Sequence, residues 1–187
     1  MGTHLRFTLL LPTTNAPWLP EPLHREHQGV FLAQEDLIAK RYEAVSEALR
    51  NRPSGEACRP VRITSLPLLS QELHFRRAVE EFTRKAVAAS RAYLEEAAAD
   101  LEPAEAAARA KLRDAGYTDP TDEGVHGSYT AKMVRRHPIV QAVVQRRAAV
   151  ERFIDRHEAI RRDNLRWAEE LTAKLRRLRS EAPSLAV

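Results

Sequence analysis

Apolar residues recur every three or four positions along three stretches of this chain, with proline, glycine or asparagine at the breaks. The spacing predicts a helix from about Ala33 to Asn51, with Ile38, Tyr42, Val45 and Leu49 on one face and Asn51 with Pro53 as the stop. A second helix is predicted from Pro67–Ser70 to about Leu101, with Phe75, Val79, Phe82, Ala86, Tyr93, Ala97 and Leu101 as its stripe. Pro103 interrupts that pattern and requires either a kink or a fresh start through AEAAARAKLRD, which ends at Gly116. After the turn-rich YTDPTDEGVHGSY, a third helix is predicted to begin between Ser128 and Pro138 and to reach about Arg179. Strict alternation appears only in LRFTLLL (5–11) and PVRITSL (60–66), which read as short strands or extended chain. PWLPEPLHREHQG, with Pro17, Pro20 and Pro22, reads as rigid and irregular.

The last helix carries a seam. Val143, Val150, His157, Asn164, Leu171 and Leu178 are seven apart, with Phe153, Ile160 and Trp167 in the companion row. This is the spacing of a coiled-coil-like interface made by Val150, Phe153, His157, Ile160, Asn164, Trp167 and Leu171. Two polar residues on that stripe admit three readings. They are buried and fix one register or oligomeric state, they are wetted on a part-exposed stripe, or they belong to a site. Neither has a carboxylate or thiol at ligand spacing, which weighs against the third.

Composition sharpens the all-α reading. The chain has 187 residues with only six glycines, and none lies between Glu56 and Ala115 or between Ser128 and Val187. These patterns divide the chain into a proline-rich 1–66 with one helix, and 67–187, a long antiparallel helical hairpin (70–101 against 138–179) whose loop spans 116–130. One cysteine, Cys58, excludes an intrachain disulfide, and no run approaches the ~18 apolar residues of a membrane span. The apolar run FTLLL is too short for a signal peptide and ends at Pro12, so a cytoplasmic protein with no membrane association is expected.

Charge is distributed unevenly. From Ala131 to Ser180 there are 14 Lys and Arg against 6 Asp and Glu, whereas the net charge of the whole chain is only +4. The pairs Arg135–Arg136, Arg146–Arg147, Arg161–Arg162 and Arg176–Arg177 punctuate this segment and are the candidate phosphate contacts. Arg152 and Arg156 repel each other at i,i+4 spacing, whereas Glu158–Arg162 and Glu170–Lys174 can pair.

Catalytic signals are sparse. His24 and His27 flank Glu26 in LHREHQG, but no further ligands stand at metal-site spacing, so no metal and no cofactor is expected. Cys58 has Arg59 beside it but no positioned base, and no glycine-rich phosphate loop or GxSxG elbow occurs. The chain is therefore read as having no enzymatic activity of its own.

APWLPEPL leading into a helix, the long helix LLSQELHFRRAVEEFTRKAVAASRAYLEEA, Gly116 with a turn-rich loop, and RRHPIVQAV opening a further helix together resemble the small subunit of phage terminases. The resemblance runs from Ala16 to Val144 and places the family's Pro-Trp-Leu at Pro17, Trp18 and Leu19, and its His-Pro at His137 and Pro138. The Ala-rich segment around Pro103, the lack of a basic leader and the continuing C-terminal helix depart from that pattern. The resemblance implies a multimeric DNA-binding subunit that works beside a catalytic large subunit. The residues themselves support a helical subunit of a homo-oligomer or larger complex that contacts nucleic acid through its basic helix. A helical scaffold binding protein partners only remains the alternative, and an enzyme using His24 or His27 a third.

Overall fold

A computed structural model describes residues 16–52, 65–117 and 125–181. The expected strands at 5–11 and 60–66 lie outside the described residues, apart from the end of the second, where Leu66 opens a helix. All regular structure among the described residues is helical, as the glycine-poor composition requires. The helices are α1 (Glu21–Arg50), α2 (Leu66–Ala98), α3 (Leu101–Asp114), α4 (Val125–Arg136) and α5 (Pro138–Glu181). No helix of the described residues is long and apolar enough to cross a membrane.

The described residues form two compact units, one of those up to Ala86 with those from His157 on, the other of those from Val87 to Arg156. In the first unit α1 and α2 run antiparallel: Arg41 meets Glu72, Asp36 meets Gln71, and Glu26 meets Lys85. The end of α5 runs antiparallel to α2, since Leu171 and Leu175 pack with Leu69, Asn164 meets Arg76 and His157 meets Phe82. Phe82, fully buried, lies at the centre with His27 on one side and His157 on the other, at 5.2 and 6.4 Å between ring centroids. The second unit has its own apolar cluster of Ala104, Ala108 and Leu112 from α3 with Val134 of α4 and Val140 of α5. Alanine on α3 lets α4 approach closely.

α1 corrects the sequence reading twice. It begins at Glu21 rather than near 33, because Pro20 takes the N-cap and Pro22 falls within the first turn, where a missing amide N–H costs nothing. Its buried face is therefore Leu23, His27, Val30, Gln34, Leu37 and Arg41. The expected face lies to the side of this one: Tyr42 is 75% and Leu49 50% exposed. Pro103 proves to mark a fresh start, since α2 ends at Ala98 and α3 opens at Leu101. At the far end of α3, Gly116 (φ 86°) adopts the left-handed conformation, and the Tyr117 and Gly116 amides donate to the Leu112 and Arg113 carbonyls. That is a Schellman stop, and it needs glycine.

Candidate nucleic-acid interface

The basic segment is built by a break between two helices. α4 ends at Arg136 and α5 opens at Pro138, whose ring suits a first helical position. His137 caps α5, its Nδ1 accepting a hydrogen bond of 3.3 Å from the Ile139 amide. Gln141 Nε2 donates to the Arg135 carbonyl at 2.6 Å and ties the end of α4 to the first turn of α5. Buried Val134 and Val140 anchor this corner in the second unit, and Arg135 and Arg136 point to solvent beside it.

Within that unit Lys132, Arg135, Arg136, Arg146, Arg152 and Arg156 are exposed, and Arg147 is half-buried. None of them forms an ion pair among the described residues. From 131 to 156 seven basic residues face only two acidic ones, so most of the basic surplus of the chain sits here. Arg152 and Arg156 stand one turn apart with like charge, an arrangement that costs a few tenths of a kcal/mol in isolation.

The remaining candidates lie in the first unit and do not all stay free. Arg161 donates through Nε to Glu80 Oε1 at 2.8 Å, so its charge is spent holding α5 to α2. Arg162, Arg176 and Arg177 are exposed without an ion pair among the described residues. The spacing sets Arg162 one turn from Glu158, yet Arg162 forms no ion pair among the described residues.

Most of the seam residues are buried within the chain. His157, Ile160, Asn164 and Leu171 are buried against the first unit, Val150 is buried in the second, and Phe153 and Trp167 are half-buried. Asn164 Oδ1 accepts from Arg76 Nη1 at 2.9 Å, and its Nδ2 donates to the Ile160 carbonyl at 2.8 Å. Both ends of the amide are thus used, which fixes the register of α5 on α2.

Behind Asn164 lies a buried ionic network that sequence reasoning missed. Glu72, 1% exposed, receives Arg41 Nη2 from α1 on Oε2, while Arg76 Nη2 stands 3.6 Å from its Oε1. The Arg76 guanidinium also lies 5.6 Å from the Phe75 ring and 5.7 Å from the Trp167 ring. Burial pushes the pKa of both guanidiniums down, and the Glu72 charge opposes that shift. The available signal was position: Glu72 and Arg76 fall at the spacing of the Phe75–Val79–Phe82 stripe.

His27 is buried with its ring against Phe82 and Phe31, and His24, three residues before it on α1, is half-buried. Among the described residues no group of three or more His, Cys, Asp or Glu side chains is placed to hold a metal ion, and Cys58 lies outside them. No family model, no curated protein and no solved structure matches this chain.

Proposed function

We propose that the protein is a non-catalytic helical subunit that contacts nucleic acid through the exposed cations of α4 and α5. The observation that carries this reading is the set Lys132, Arg135, Arg136, Arg146, Arg152 and Arg156, exposed in one compact unit without a carboxylate partner among the described residues. A polyanion relieves the repulsion within such a set, and its release of counterions drives binding. The amino end of α5, beside Arg135 and Arg136, adds its partial positive charge. Arg161 drops out of the candidate contacts because Glu80 holds it, while Arg162 and Arg177 stay exposed in the first unit. The terminase-like sequence pattern agrees with this reading and favours DNA, bound by a multimer that acts beside a catalytic partner.

The test is a binding titration of labelled 20-base-pair DNA and single-stranded RNA by anisotropy at several salt concentrations. Six phosphate contacts give an affinity loss of about a thousandfold between 50 and 200 mM salt. Replacing Arg135, Arg136, Arg152 and Arg156 with Gln should flatten the logarithmic salt slope by about 0.9 for each phosphate that is no longer neutralised. No binding at 50 mM salt refutes the reading and leaves the scaffold alternative, which the exposed Tyr42 and Leu49 on α1 favour.

A further inference from the structure

In the first unit α2 and α5 leave an open groove of about 710 Å3 between their outer faces. Its α5 wall presents Leu165, 41% exposed, then Ala168, Glu169, Thr172, Ala173 and Arg176. Glu169 and Arg176 are exposed and have no ion pair among the described residues. Leu165, Glu169, Thr172 and Arg176 follow the four-three-four spacing of one helical face. Small Thr172 and Ala173 lie between the two charges, with Ala168 just before them, so another helix can come close there.

The charges on this face are self-complementary in only one direction. Glu169 and Arg176 sit symmetrically about the midpoint of Thr172 and Ala173. If a second α5 crosses antiparallel with a two-fold axis at that midpoint, Glu169 of each copy lies opposite Arg176 of the other. Thr172 then meets Ala173, and Leu165 is covered near Ser180. In a parallel crossing, by contrast, Glu169 would face Glu169 and Arg176 would face Arg176.

We infer that this groove is the seat of a second copy of the chain, docked antiparallel along α5 with reciprocal Glu169–Arg176 pairs. The inference rests on the oligomer-forming part of the proposed function and names its face. It assigns Arg176 to a protein contact instead of a phosphate.

Light scattering of the full chain and its charge-reversed variants tests this. Wild-type protein should be a dimer or an even-numbered assembly in the micromolar range. Glu169→Arg and Arg176→Glu should each weaken self-association about tenfold or more, because each turns two symmetry-related attractions into repulsions. Mixing the two single variants should restore a one-to-one dimer, and the double variant E169R/R176E should self-associate again. This rescue separates charge pairing from misfolding, and both positions are exposed. A wild-type monomer overturns the oligomer reading together with this face. A wild-type multimer that tolerates both reversals, or single variants that mixing does not rescue, overturns the face alone.

Discussion

Glu72 is the residue on which the first unit's polar interior depends, and Glu72→Gln isolates its charge. The substitution keeps shape and volume, so no cavity term enters. What changes is that Arg41 and Arg76, 8% and 2% exposed, lose the carboxylate between them. Removing one partner of a buried ionic group costs about 3–5 kcal/mol, because the remaining charge stays desolvated. Against a total stability of about 5–15 kcal/mol, that is a large fraction. With a urea dependence of about 2 kcal/mol per molar, the midpoint should fall by roughly 2 M.

The assay is urea denaturation followed by intrinsic fluorescence. Both tryptophans, Trp18 and Trp167, belong to the first unit, and Trp167 lies against Arg76 itself. Glu81→Gln is the control. Glu81 pairs with Arg84 at 2.7 Å, but the two side chains are 43% and 52% exposed and the pair is screened by water, so its loss should be small beside that of Glu72→Gln. The same reasoning gives an opposite result for full replacement. Exchanging Arg41, Glu72, Arg76 and Asn164 together for Met and Leu removes every desolvated charge and should leave stability unchanged or raise it by about 1–4 kcal/mol. A Glu72→Gln loss no larger than that of Glu81→Gln would refute the claim that Glu72 compensates two buried guanidiniums.

Three further outcomes follow from local geometry. Gly29→Ala should stabilise the protein by about 0.5–1 kcal/mol in the same denaturation assay, since Gly29 sits exposed inside α1 and an added Cβ meets nothing within 4 Å. Phe82→Ala should cost about 3–5 kcal/mol, as the ring is fully buried and supports both His27 and His157. Hydrogen bonds from Lys40 at 2.8 Å and Gln71 at 2.7 Å hold the Asp36 carboxyl below its ordinary value. A depressed folded pKa gives stability that is present above about pH 4 and is lost as pH falls through the folded value, so Asp36→Asn should flatten that acid limb.

Helix periodicity carried most of the fold into the sequence, because burial along a stripe leaves a three- and four-residue signature that composition alone reinforces. α2 and α5 were legible for this reason, and so was the stop at Gly116, where only glycine relaxes into the left-handed turn. α1 was misread because two patterns compete on it. Ile38, Tyr42, Val45 and Leu49 form the more apolar row, yet the buried row passes through His27, Gln34 and Arg41, which hydropathy scores as solvent-facing. The same failure hid Glu72 and Arg76, since a charge on a core stripe is indistinguishable from a stripe edge until its partner is known.

That partner is distant in sequence: Arg41 and Glu72 are 31 residues apart, and Arg76 and Asn164 are 88 apart. No local rule connects them. Asn164 could be recognised as a polar residue in a seam, and its register-setting use could be inferred, but the surface it faced could not be chosen between a second copy and α2. The structure packs His157, Asn164 and Leu171 of that seam on α2 and leaves Leu165, Glu169 and Arg176 of α5 exposed. The arginines divide in the same way. Arg161 reads like its neighbours in sequence, but Glu80 on another helix neutralises it, whereas Arg152 and Arg156 form no ion pair among the described residues. Charge surplus is therefore a property of segments in sequence but of faces in the fold, and the face that stays unneutralised is the one where a phosphate backbone gains most.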